Sequence, residues 1–241
     1  MPLSASSSSQ GRPSISRRTN SARPEKLKNR IVLLGPPASG KGTQASLLGA
    51  VFGIPHVSTG AIVRQERAKG TAIGVEADSY ASRGLLFPDE LALRFVGQWL
   101  GIHSRFIFDG FPRTIGQATA LHSLLESKSI GLQTVYLLEL PDDEVRVRML
   151  GRLTCSTCGA VFSESFHKIS IGMPCPKCEG VLARREDDTL AALDHRLAQY
   201  HEFTKPIADY YEGAGLLKKV DVRFGRDAVF QLLYNDLRAD A

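Results

Sequence analysis

Long apolar runs are missing from these 241 residues. None approaches the roughly 18 consecutive positions that a membrane-spanning helix needs, so no membrane partner or integral membrane protein is expected. Cysteine is missing everywhere outside positions 155–178, where all four sit. A disulfide scaffold would scatter its cysteines over the whole domain, so the clustering points to a metal. Basic charge is scarce where nucleic acid would need it. The chain carries +5, but residues 1–30 hold seven basic side chains against the single acid Glu25, a balance of +6 that leaves −1 for the rest. A nucleic-acid-binding body carries its excess on the folded domain, so that partner class is excluded from the expectations.

What is present fits one large domain with small insertions: 43% of the residues are hydrophobic, enough for a sizeable core. Residues 1–28, with eight serines before Glu25 and almost no apolar side chains, predict a disordered N-terminal extension. Ser- and Arg-rich, acid-poor composition is also that of an organelle transit peptide. A cytoplasmic location is expected, or an organelle if the tail is cleaved.

Further on, strand and helix patterns alternate. Arg30–Leu34 is a short buried strand, followed by a helix to about Phe52 and a brief strand at His56–Ser58. Residues 60–83 read as helical, 84–88 as a break and 89–100 as a helix. The strand Arg105–Phe108 precedes a helix at 115–127, the strand Thr134–Leu140 and a helix at 142–150. Residues 151–188 lose periodicity and read as an insertion. A long helix at about 189–212, a strand at 216–222 and a final helix complete the chain. This alternation predicts an α/β fold, a parallel sheet flanked by helices on both faces.

Gly35-Pro36-Pro37-Ala38-Ser39-Gly40-Lys41-Gly42-Thr43 fits G-x4-G-K between a strand and a helix. Such a loop aims backbone N–H groups into one concavity, and Lys41 adds a mobile positive charge for the β- and γ-phosphates of a nucleoside triphosphate. Cys155-x2-Cys158, sixteen residues, then Cys175-x2-Cys178 is a strong tetrahedral pattern. Four thiolates leave no open coordination position, so the metal is expected to be structural. Two disulfides are the alternative, and zinc competes with iron or cobalt for the site.

With Gly42 and Thr43 after Lys41, the loop resembles that of the nucleoside monophosphate kinases, adenylate kinase above all. The likeness extends over almost the whole chain from Arg30. It rests on Ser58-Thr59-Gly60-x3-Arg64, on Gly84-Leu85-Leu86-Phe87-Pro88-Asp89-Glu90, and on Asp109-Gly110-Phe111-Pro112-Arg113-Thr114-x2-Gln117. The four-cysteine insertion is similar to the zinc-stapled lid of many bacterial adenylate kinases.

The resemblance implies a P-loop NTPase-like five-stranded sheet, with a core at 29–57, 88–150 and 189–241. It implies a mobile monophosphate-binding segment at 58–87 and a zinc lid at 151–188. The implied ATP site is Ala38, Ser39, Gly40, Lys41, Gly42, Thr43, Arg148, Arg152, Val161, Phe162 and the backbone of Phe224. The implied AMP site is Thr59, Arg64, Leu85, Leu86, Phe87, Gly110, Phe111, Pro112, Arg113, Gln117, Arg185 and Arg196. Lys41, Arg113, Arg152, Arg185, Arg196 and Asp109 would carry catalysis, Asp109 by orienting the hydrated Mg²⁺.

The implied reaction is ATP + AMP = 2 ADP in a monomer that binds only small-molecule nucleotides, with structural Zn²⁺ and nucleotide-bound Mg²⁺. No nucleophile–base pair is needed, because the attacking AMP phosphate, with a second pKa of about 6, is already ionised. Three positions depart from the family: Ala38 replaces a glycine, Ala61 an aspartate and Leu153 a second arginine. They motivate one rival, a weakened paralogue that binds nucleotides as a sensor. A kinase of other donor or acceptor specificity is the second.

Overall fold

A computed structural model describes residues 27–239 apart from Ser82, Gly84, Phe87, Glu186 and Asp187; the expected tail lies almost wholly outside these residues. In chain order, β1 (Arg30–Leu34) leads through the glycine-rich loop to α1 (Lys41–Phe52) and β2 (His56–Ser58). Next come α2 (Thr59–Ala68), α3 (Ala72–Ala81), α4 (Asp89–Leu100), β3 (Phe106–Asp109), α5 (Ile115–Ser127), β4 (Thr134–Glu139) and α6 (Asp142–Leu150). The insertion holds β5 (Arg152–Cys155), β6 (Val161–Ser163), α7 (Glu164–His167) and β7 (Leu182–Ala183). It is followed by α8 (Leu190–Gln199), a π-helical turn at Tyr200–Thr204, α9 (Pro206–Gly213), β8 (Leu217–Asp221) and α10 (Arg226–Ala239).

The five strands β2-β3-β1-β4-β8 form one parallel sheet. The unbroken run IVLL in β1 is apolar because helices cover both faces of a parallel sheet. Ile31 and Leu33 pack with residues of α1, α6, α8 and α10; Val32 and Leu34 pack with residues of α4, α5 and α9. Two-residue periodicity thus divides one strand between two cores. The C-terminal ends of β1 and β3 then deliver the phosphate loop and Asp109 to the same edge of the sheet.

Three sequence expectations are refined. The helical stretch 60–83 is two helices, α2 and α3, separated around Gly70, which adopts φ 67°. Ser58 caps the first of them, its hydroxyl accepting the Ala61 N–H at 3.4 Å. The long helix at 189–212 is interrupted by the π-helical turn and restarts at Pro206, whose missing N–H suits a first helical position. The insertion is not irregular throughout: β6-β5-β7 form a small antiparallel sheet around Leu153, Cys155, Phe162, Cys175 and Leu182. Among the described residues, no helix is long and apolar enough to cross a membrane.

Candidate active site

The loop after β1 wraps the Lys41 ammonium. Its Nζ donates to the carbonyls of Gly35 at 2.8 Å and Pro36 at 2.6 Å. Gly35 adopts φ 145°, and a Cβ there would fall 2.5 Å from the Leu138 carbonyl of β4, so glycine is required where loop and sheet meet. Ala38 sits at φ 56°, left-handed backbone that costs an alanine about 1 kcal/mol or more. The departure from glycine noted in the sequence therefore falls on a strained residue.

Asp109, at the end of β3, faces this loop. Burial would raise its carboxyl pKa, but the His56 ring and the charges of Lys41 and Arg113 outweigh burial and hold it below the usual carboxylate value. Burial lowers the Lys41 pKa to about 8, against the opposing pull of Asp109 and with help from Arg113 and Arg152. His56 lies on β2 with Nε2 3.6 Å from Asp109 Oδ2, a contact longer than a hydrogen bond, and with Nδ1 3.3 Å from Ser46 Oγ. Sequence reasoning gave no histidine a role. Only the β2–β3 pairing, which sets Ser58 opposite Asp109, brings His56 into the site.

Arginines supply the far wall. Arg113 Nε donates to the Gly110 carbonyl at 2.7 Å, and Thr59 Oγ1 donates to the same oxygen at 3.0 Å. Burial and the neighbouring Arg196 lower the Arg113 pKa, while Asp109 opposes them. Arg152 grips Asp188 through two donors, its Nε at 2.7 Å, and Arg196 Nη1 lies 3.5 Å from the same carboxylate. The Asp188 side chain is only 2% exposed, so one buried acid gathers two arginines from either side of the insertion. Arg185 Nε donates to Thr154 Oγ1 at 3.0 Å, and Arg148 Nη2 to the Val222 carbonyl at 2.9 Å.

Lys41, Asp109 and the five arginines line one continuous cavity of about 1320 Å³. That exceeds the usual range of about 300–1,000 Å³ for a single small ligand and leaves room for two nucleotides. Lining residues include Ala38, Ser39, Gly40, Lys41, Gly42, Thr43, Asp109, Arg113, Arg148, Arg152, Val161, Phe162 and Phe224. Arg64, Leu85, Leu86, Gly110, Pro112, Arg185 and Arg196 line it as well. Thr59, Phe111 and Gln117 do not: they are 2% exposed or less and stand behind the wall. Phe111 packs edge-on against Phe108 in the sheet core, and Gln117 is engaged by hydrogen bonds. Phe87 lies outside the described residues. Ala61 lines the cavity without a carboxylate, leaving that wall to Ser58, Gly60 and Arg64. Leu153 is fully buried in the small core of the insertion. An arginine at its present position would have to bury its charge there.

The four cysteines are free thiols whose sulfurs all lie within 4.8 Å of one another. Cys155 and Cys178 sulfurs are 3.5 Å apart, and those of Cys158 and Cys175 3.8 Å. A tetrahedron built on zinc–sulfur bonds of about 2.3 Å has edges of about 3.8 Å, so the cluster fits a tetrahedral ion. Backbone N–H groups of Cys158 and Thr157 point at Cys155 Sγ and lower its pKa to about 6, which favours the thiolate a metal binds.

Comparison with known proteins agrees with this geometry. The model of the adenylate kinase family matches residues 33–216. A Clostridium botulinum (strain Eklund 17B / Type B) adenylate kinase is 39% identical over 205 residues, covering 84% of this chain and 95% of that protein. The adenylate kinase of Clostridium tetani is 39% identical over 212 residues, 87% and 98% of the two chains. That of Syntrophobacter fumaroxidans is 39% identical over 203 residues, 83% and 95%.

Proposed function

The chain belongs to the adenylate kinase family and is a nucleoside monophosphate kinase that carries out ATP + AMP = 2 ADP; we propose that it does so by in-line attack of the AMP phosphate inside the single large cleft. The observation that carries this reading is the shared cavity. It is lined by the Lys41 loop on one side and by Arg64 and Arg113 on the other, with Asp109 beside Lys41.

The chemistry requires two polyanions to meet and the charge on the transferring group to be spread. Lys41 leaves the Gly35 and Pro36 carbonyls for the donor phosphates, whose charge restores the proton affinity that burial removes. Arg64 and Arg113 hold the acceptor phosphate. Thr59 and Gln117, which stand behind the wall in the open cleft, would meet its base beside Leu85 and Leu86 once the segments close, while Val161, Phe162, Arg148 and Phe224 face the donor base. Arg152, Arg185 and Arg196 close the cage, with Asp188 presetting two of them. Residues 58–87 and 151–188 move over the bound pair and exclude water, which would otherwise take the phosphoryl group.

Asp109, an ionised carboxylate in the cleft, fits the water shell of a nucleotide-bound magnesium, which would neutralise charge at the transferring phosphate. Zinc is the metal proposed for Cys155, Cys158, Cys175 and Cys178, and its part is structural. The chain is taken to act as a monomer in the cytoplasm.

Binding of a single molecule that joins two adenosines through a polyphosphate tests the two-site reading. One molecule per chain is expected, with Lys41→Met and Arg113→Ala each weakening it at least about 100-fold. Two molecules per chain, or insensitivity to Arg113→Ala, would refute it.

A further inference from the structure

Gln117 is 2% exposed, and its two amide atoms meet partners of opposite kinds. Oε1 accepts the backbone N–H of Arg113 at 2.7 Å, and Nε2 donates to Asp89 Oδ1 at 2.9 Å. A primary amide is nearly symmetric in shape, so its direction is decided only by what surrounds it. A backbone N–H offers only a proton and a carboxylate only lone pairs. Turning the amide over would set N–H against N–H and carbonyl against carboxylate. At 2% exposure the amide has little solvent contact to relieve that mismatch, so it is costly.

Asp89 is itself held. Thr114 Oγ1 lies 3.0 Å from each of its carboxylate oxygens, and the same hydroxyl accepts the Gln117 N–H at 3.0 Å, capping α5. Gly116 leaves the space the carboxylate occupies: a Cβ there would fall 2.6 Å from Asp89 Oδ2.

We propose that Asp89 is the specificity-determining positioning residue of the acceptor site: it holds the Gln117 amide in one direction and so selects a 6-aminopurine monophosphate over a 6-oxopurine one. The inference rests on the reading of Gln117 as a base-contacting residue and deepens it. After its two internal bonds the amide keeps one N–H and one lone pair. A 6-aminopurine offers an exocyclic donor beside the N1 acceptor, and a 6-oxopurine offers the same two positions reversed. A fixed amide matches one of these patterns; an amide free to turn matches both.

The test compares kcat/KM for AMP and for IMP, which differ only at this edge, in the full-length chain and three variants. Asp89→Asn keeps the shape but presents both a donor and an acceptor, so the carboxylate's half of the lock is lost and only the Arg113 N–H still favours one amide direction. Gly116→Ala leaves every polar residue in place and pushes the carboxylate off the amide, at a helix position where alanine is otherwise favoured. Both are expected to lower the AMP-to-IMP ratio about tenfold or more. A merely structural role would lower both substrates together and leave the ratio alone, and that result overturns the proposal. Gln117→Leu separates the two readings. If it lowers the ratio while the other two variants do not, the lock fails and the base contact stands. If it leaves the ratio unchanged, the base contact fails and takes the lock with it. Should Asp89→Asn fold poorly, Gly116→Ala carries the test.

Discussion

Among the described residues, seventeen buried side chains make up the core on one face of the five-stranded sheet and seventeen that on the other, whereas the small sheet of the insertion buries five, two of them Cys155 and Cys175. The core can therefore stand on the hydrophobic effect. The insertion cannot, because so small a cluster does not offset the entropy of ordering its loops. Its thiols stand where apolar packing runs out, clustered closely enough to hold a metal ion, and on the proposed reading metal binding would supply the missing folding energy. Arg152 and Arg185 follow from that scaffold. On that reading, stability in the core and stability in the insertion should be separable quantities, with only the second tied to metal.

The largest effects should come from the phosphate-facing charges of the core. Lys41→Met and Arg113→Ala are each expected to lower kcat/KM by about 10³-fold or more, with far-ultraviolet circular dichroism unchanged. Lys41→Met should also melt at or above the native temperature at pH 7. The folded-state Lys41 pKa of about 8 lies below the unfolded value of 10.5, so the unfolded chain binds that proton more tightly. The resulting penalty is complete below pH 8 and fades as pH rises toward 10.5, and the stability gap between variant and native chain should close over that interval. A gap that widens would show that Lys41 is not buried as a charge.

Metal removal comes next. A thiol-competing chelator should abolish amide protection in residues 151–188 and lower turnover about 10-fold or more, leaving protection of β1, β3 and β4 intact. Loss of protection in both regions at once would break the comparison.

Replacing Asp188 by Asn should follow in size, with kcat down about tenfold as Arg152 and Arg196 lose their common anchor. Stopped-flow ATP binding beside steady-state rates separates that loss from weaker nucleotide affinity. A smaller effect is expected in the pH profile: kcat/KM for ATP should fall as pH rises through about 8, where free Lys41 gives up its proton, and the fall should be absent in Lys41→Arg. Smallest is Ala38→Gly, which should raise stability by about 1 kcal/mol by relieving the left-handed alanine, read from denaturant midpoints.

The phosphate loop of the core and the cysteine cluster of the insertion were legible because their signals are local. The IVLL run, the spacing of Gly35, Gly40 and Lys41, and the paired cysteines each state their role within a few residues. The π-helical turn at Tyr200–Thr204 was not legible, since nothing in the periodicity before Pro206 marks where a helix widens. His56 and Asp188 were missed for a different reason. Each acts through partners on other elements, Asp109 for one and Arg152 with Arg196 for the other, and sequence spacing carries no record of those meetings. The positive φ of Ala38 lies between these cases: the family pattern flagged the position, and the backbone supplied the cost.

The most direct test is ADP formation from ATP and AMP by the purified chain, measured beside its metal content. Two ADP formed per ATP consumed, strictly dependent on AMP, with one tightly held zinc per chain, is the expected result. Tight binding of both nucleotides without ADP formation, or full turnover by a metal-free chain, would contradict it.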